Sequence, residues 1–66
     1  MRKLDKDDFI EWKEDYTYLG QWKSGKYSLM YYDPYMYVGN LYYYEEYSGI
    51  AVEVNCSDLL DLWELD

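Results

Sequence analysis

The order of apolar and polar residues divides the chain into segments of two different periods. Over residues 7–16 (DDFIEWKEDY), Phe9, Trp12 and Tyr16 recur at intervals of three and four. At ~100° per residue they gather within roughly 60° of one helix face. This spacing predicts an N-terminal helix from Asp7 to about Tyr16, capped by Asp5 or Asp7, with its early acids at the positive end of the macrodipole. A second helical pattern closes the chain. Asn55 or Ser57 can cap it, Asp58 falls in its first turn, and Leu59, Leu60, Leu62 and Trp63 cover one side over roughly 160°. Met1 to Lys6 reads as a loose lead-in.

Between the two helical patterns the period falls to two. Thr17–Trp22 reads as a strand, and Lys23-Ser24-Gly25-Lys26 as a turn with Gly25 available for positive φ. The next strand, Tyr27–Tyr32, sets Tyr27, Leu29 and Tyr31 on one face and Ser28, Met30 and Tyr32 on the other. Tyr35–Val38 and Leu41–Tyr44 follow, joined at Gly39-Asn40 by a two-residue hairpin. Ile50–Val54 alternates most clearly, with Ile50, Val52 and Val54 inward. A weak echo at an offset of twelve, Leu29–Tyr35 (LMYYDPY) against Leu41–Tyr47 (LYYYEEY), supports evenly spaced strands and turns. The expected fold is α+β: a small antiparallel sheet of three to five strands flanked by an N-terminal and a C-terminal helix. Residues 1–66 form a single small acidic domain.

A chain of 66 residues sits near the lower end of what folds without disulfides or metal. An aromatic content of 23% offsets that handicap, because each large ring can bury on the order of 150–250 Å². The lone Cys56 has no partner for an intramolecular disulfide and reads as a small buried apolar group. With no signal peptide and no apolar run of membrane length, the expected setting is a reducing cytoplasm.

Charge is distributed unevenly. Residues 1–26 carry six cations and six acids, whereas residues 27–66 carry eight acids and no cation, so the whole net charge of −8 lies in the last forty residues. A field of one sign repels nucleic acid and anionic membrane and draws in basic proteins at long range. Direct binding of DNA or RNA is not expected, because a groove that tracks the backbone needs cations.

The inventory of side chains excludes most enzyme classes. Without histidine there is no Ser-His or Cys-His pair and no imidazole base. One cysteine cannot build a thiolate metal cage, and no glycine-rich phosphate loop is present. Asp5, Asp7 and Phe9 imitate the opening of a calcium loop, but Phe9 stands where the third oxygen ligand belongs. Adjacent Glu45 and Glu46 point to opposite faces of a strand and cannot act as a carboxylate pair. No enzyme activity, cofactor or metal is expected.

Binding is what remains. On the helical wheels Asp7, Asp8, Glu11, Glu14 and Asp15 form one acidic ridge, and Asp58, Asp61 and Glu64 a second, with Asp66 extending it and Glu45 and Glu46 as a further pair. The bland reading of the first ridge is an ordinary solvated helix face. Acids one helical turn apart sit ~5.4 Å from each other along the axis, comparable with the ~6–7 Å between successive phosphates of a duplex that presents one charge per ~1.7 Å. Nine of the eleven tyrosines lie between Tyr27 and Tyr47. Some supply sheet area, and the rest form an exposed surface, with Tyr32, Tyr42 and Tyr44 as expected contact rings. Tyrosine among carboxylates suits arginine, which stacks on the ring and pairs with the acid.

In size, acidity, tyrosine content and lack of histidine, the chain resembles in kind bacteriophage-encoded inhibitors that imitate DNA, among them anti-restriction, uracil-glycosylase-inhibiting and anti-CRISPR proteins. The likeness covers composition and charge layout, and no motif maps onto that group residue by residue. It implies a stoichiometric inhibitor occupying the nucleic-acid channel of a basic host enzyme. The alternative is a protein-interaction module, or an antitoxin-like regulator, that does not mimic nucleic acid and binds through its tyrosine-rich face. A homodimer through tyrosine faces or an open edge strand is compatible with either.

Overall fold

The computed structural model describes residues 1–65. Its strands are β1 (Arg2–Leu4), β2 (Tyr18–Trp22), β3 (Tyr27–Met30), β4 (Tyr42–Tyr44), β5 (Ala51–Glu53) and β6 (Leu59–Glu64), with a three-residue 3-10 turn, Cys56–Asp58, leading into β6. All pairings are antiparallel. Four strands form one sheet in the order β1-β6-β2-β3, and β4-β5 form a second. The sheets are joined by one bridge, Tyr31 to Tyr42, whose two backbone hydrogen bonds are both 2.9 Å long.

The α+β expectation is overturned: neither flanking helix exists. At the C-terminus the cause is a β-bulge. Trp22 pairs with Leu59 and Gln21 with Asp61, so Leu60 is an extra residue with no opposite number. A bulge shifts the phase of alternation by one. Leu59 and Leu62 therefore both face inward and are fully buried although they are three apart, while Leu60 is 51% exposed. A spacing of three inside an apolar run imitates a helix stripe, and only the pairing partner reveals the bulge.

The N-terminal segment fails as a helix for a different reason. Phe9, expected in the packing stripe, is 90% exposed. Trp12 and Tyr16 of that stripe do pack on the core, and Ile10 takes the place expected of Phe9. Exposure from Phe9 to Lys13 alternates residue by residue, which is the period of extended chain. The Trp12 indole donates to the Gly39 carbonyl at 2.9 Å, and its ring meets Tyr18 edge-on at 5.3 Å. The Lys13 N–H donates to the Tyr18 hydroxyl at 3.0 Å. These contacts hold an irregular strap across one end of the core, and a helix repelled by its own i,i+4 acids competes poorly with them.

Four smaller expectations also change. The lead-in Met1–Lys6 contains β1, paired along β6. Tyr35–Val38 is a turn, not a strand: Asp33 accepts the Tyr35 N–H on its side chain at 2.9 Å, and its carbonyl accepts from Met36 and Tyr37. No hairpin forms at Gly39-Asn40. Ile50 is 64% exposed, although Val54 is buried as expected. The strand at 17–22, the turn with Gly25 at φ 96° and the strands beginning at Tyr27 and near Leu41 are present.

The echo at an offset of twelve has a structural counterpart. In each half a strand or bridge residue runs into a turn whose first carboxylate binds the N–H two residues on: Asp33 with Tyr35, and Glu45 with Tyr47 at 2.7 Å. Tyr35 and Tyr47, the matching rings, are 95% and 93% exposed.

The core consists of Tyr18, Met30, Leu41, Val54, Leu59 and Leu62, one or two residues from each part of the chain after the strap. Cys56 packs against it only partly buried, and burial pushes its thiol pKa up. Among the described residues no helix is long and apolar enough to cross a membrane.

Candidate interaction surface

Loss of the helices dissolves both acidic rows. Asp7, Asp8, Glu11, Glu14 and Asp15 remain exposed, but along a strap of turns and extended chain. Asp7 lies 3.4 Å from Lys6, and Asp8 accepts the Phe9 N–H at 2.8 Å. In the second row only Asp58 is an exposed acid without an ion pair among the described residues. Asp61 pairs with Lys3 at 3.1 Å across the outer face of the four-stranded sheet. Glu64 faces the core side, is 8% exposed and pairs with Arg2 at 3.1 Å. Asp58 lies in the 3-10 turn before β6, and Asp61 and Glu64, three apart on the strand beyond the bulge, face opposite ways, so the three form no common row. Asp66 lies outside the described residues.

Glu45 is a local staple. Its two carboxylate oxygens accept the N–H groups of Tyr47 at 2.7 Å and Ser48 at 3.1 Å. These bonds hold its pKa below the usual carboxylate range, led by the one from Tyr47, against a smaller opposing effect of desolvation. Glu46 beside it is exposed. The pair therefore divides into a fixed charge and a free one.

The tyrosines are brought together more tightly than the acids. Tyr42 and Tyr44 share the outer face of β4 because they are two apart. Tyr31 and Tyr37, not singled out in the sequence, complete the group. Tyr31 lies 5.7 Å from Tyr42 and 6.0 Å from Tyr44; Tyr42 lies 5.6 Å from Tyr44 and 6.4 Å from Tyr37. The echo does not reveal this grouping: it matches Tyr31 with Tyr43, which packs on Trp22 on the opposite face, whereas Tyr31 bridges Tyr42. Burial is the main cause that raises the Tyr42 phenol pKa, helped by the Tyr44 hydroxyl and the nearby Asp33 charge. Tyr32, expected among the contact rings, turns the other way and packs on the core with Trp12.

Beside this cluster β3 and β4 part company. Beyond the Tyr31–Tyr42 bridge they diverge and leave a cleft of about 330 Å³. Its floor is Trp22 against Tyr43, ring centroids 5.0 Å apart, with the Trp22 indole donating to the Ser28 hydroxyl at 2.8 Å. The rim carries Tyr27, Tyr44 and Tyr47 with Glu45 and Glu46, and Lys26 at its mouth. Tyr27 and Tyr44 are just over half exposed. No group of three or more histidine, cysteine or carboxylate side chains among the described residues could hold a metal.

The class this defines is a small all-β protein of two linked antiparallel sheets bearing an acid-fringed aromatic surface. Comparison with family models, with curated proteins and with solved structures finds no match for the chain.

Proposed function

We propose that the protein is a stoichiometric binding module that takes a cationic protein partner on the tyrosine-rich surface of β3, β4 and β5, and acts by occupying that partner rather than by catalysis. The observation that carries this reading is the packing of Tyr31, Tyr37, Tyr42 and Tyr44 into one partly open cluster. No cation occurs anywhere in the chain after Lys26. Rigid amphipathic rings give contact area at low entropic cost, and neighbouring carboxylates select a positively charged surface. Arginine satisfies both, stacking on a ring and pairing with an acid.

A second reading, inhibition of a nucleic-acid-binding enzyme by DNA mimicry, keeps one favourable observation. Asp7, Asp8, Glu11, Glu14 and Asp15 are exposed on a single strap. Their helical spacing is gone, which removes the match to a regular polyanion.

Charge reversal separates the two. Immobilised protein is challenged with cell lysate, the retained cationic protein is eluted with salt, and variants are compared. Tyr42→Ala with Tyr44→Ala is expected to abolish capture, and Glu11→Lys with Glu14→Lys to leave it within about twofold at moderate salt, where exposed charges are largely screened. The opposite pattern sinks the tyrosine-face reading in favour of mimicry.

A further inference from the structure

We propose that the cleft between β3 and β4 is a strand-docking site, and that its occupant is an extended segment of the partner carrying arginine at alternate positions. This rests on the reading of the chain as a binder of cationic protein and adds where and how the partner attaches.

Backbone direction carries the inference. The Trp22 N–H donates to the Lys26 carbonyl at 2.7 Å, so residues 22 and 26 form a hydrogen-bonded pair. Antiparallel ladders alternate, which makes Gly20–Ser28 and Tyr18–Met30 the next hydrogen-bonded pairs. The N–H and C=O groups of Tyr27, Leu29 and Tyr31 therefore point away from β2. Tyr31 spends its pair on Tyr42. Tyr27 and Leu29 have no strand beside them among the described residues, because β3 ends its sheet.

The facing strand shows the same parity. Glu45 donates to the Ile50 carbonyl at 2.8 Å, and Tyr43 pairs with Val52, so both turn their backbone toward β5. Tyr44, between them, turns its N–H and C=O into the cleft. Two open backbone edges thus diverge from one bridge, with aromatic rings above and below.

Open edges in soluble proteins are ordinarily guarded by brevity or charge. The other terminal strand of the sheet, β1, follows that rule: it is three residues long and carries Arg2 and Lys3. Along β3 the residues are Tyr, Ser, Leu and Met, and the nearest charge is Lys26 at the mouth. An edge left bare between rings fits strand addition, in which main-chain bonds give affinity and alternate side chains give specificity. Glu45, fixed by its turn, and Glu46, free, outweigh the single cation on the lining. Alternate side chains of an added strand lie on one face at about 6.8 Å intervals, so arginine at every second position meets successive rings and acids.

The test uses the full chain and a peptide of about six residues, the usual strand length, alternating arginine and threonine. Tryptophan fluorescence reports binding at Trp22, and amide hydrogen exchange reports Tyr27, Leu29 and Tyr44. Saturable binding is expected, with those three amides newly protected. Methylating the peptide nitrogens at alternate positions, in one of the two phases, should weaken binding roughly tenfold or more, since each blocked pair of bonds is lost.

Leu29→Pro removes a donor that β2 does not use, so the ladder survives and the docking edge does not; the same weakening is expected. Should that variant fold poorly, the methylated peptides still decide. Equal binding of plain and both methylated peptides, without amide protection, overturns the docking site while leaving the cationic-partner reading intact. Binding of no cationic peptide overturns both. A dimer in sedimentation that becomes a monomer on Leu29→Pro assigns the edge to a second copy and overturns the proposal.

Discussion

Gly20 in the middle of β2 is the position where the packing makes its most quantitative demand. Its φ is ordinary, so alanine strains no backbone there. The space is the obstacle: a methyl group built at Gly20 meets the Met30 Sδ at 2.7 Å and the Met30 methyl closer still, with Leu59 Cδ2 at 3.2 Å. Met30 and Leu59 are both fully buried, so the thioether has to displace core to yield. Overpacking of this kind costs ~1–3 kcal/mol. Replacing glycine restores ~0.4–1 kcal/mol by narrowing the unfolded ensemble. The net expectation for Gly20→Ala is a loss of roughly 1–2 kcal/mol, a fall in Tm of about 5–15 °C for a domain of this size. Urea and thermal unfolding followed by tryptophan fluorescence measure it. Met30→Leu withdraws the offending atoms at less than about 1.5 kcal/mol, so the double variant should lose less than the sum of the two. A Gly20→Ala protein as stable as the parent, or strictly additive losses, would refute the packing argument.

Arg2→Ala leaves the buried Glu64 carboxylate without its partner and is expected to destabilise by roughly 1–2 kcal/mol, with part regained on adding Glu64→Gln, as urea midpoints will show. Partner capture should be indifferent to Glu64→Gln, because that acid faces the core side. Tyr18 and Tyr42 have phenol pKa values above the ordinary 10.0 in the fold, so the neutral form is the one the fold favours. The stability they contribute is complete below that value and is lost as pH rises through their raised values; Tyr18→Phe should flatten this alkaline decline while weakening the strap at Lys13. Glu45 has the opposite sign: its lowered pKa contributes stability above the ordinary 4.5 that disappears as pH falls through the folded value. Glu45→Ala should remove that acid limb from a pH series of unfolding midpoints.

Local chemistry made part of this protein readable from its residues alone. Gly25 between two strands, the alternation around Leu29 and Met30, and the absence of histidine and of late cations are properties of single positions or short windows, and the structure keeps them where the sequence puts them. The division of charge at Lys26 and the concentration of tyrosine after it likewise need no coordinates.

What only the tertiary structure decided is phase and pairing. Leu59 and Leu62 look like neighbours on a helix until Trp22 and Gln21 skip Leu60, and the bulge turns a spacing of three into one buried strand face. Asp61 and Glu64 look like free charge until β1, an apparent lead-in, brings Lys3 and Arg2 to them. Tyr31 and Tyr42 become one cluster because a single bridge joins two sheets. Each of these depends on which residue lies opposite another distant in sequence, and the period of one strand carries no record of its partner's register.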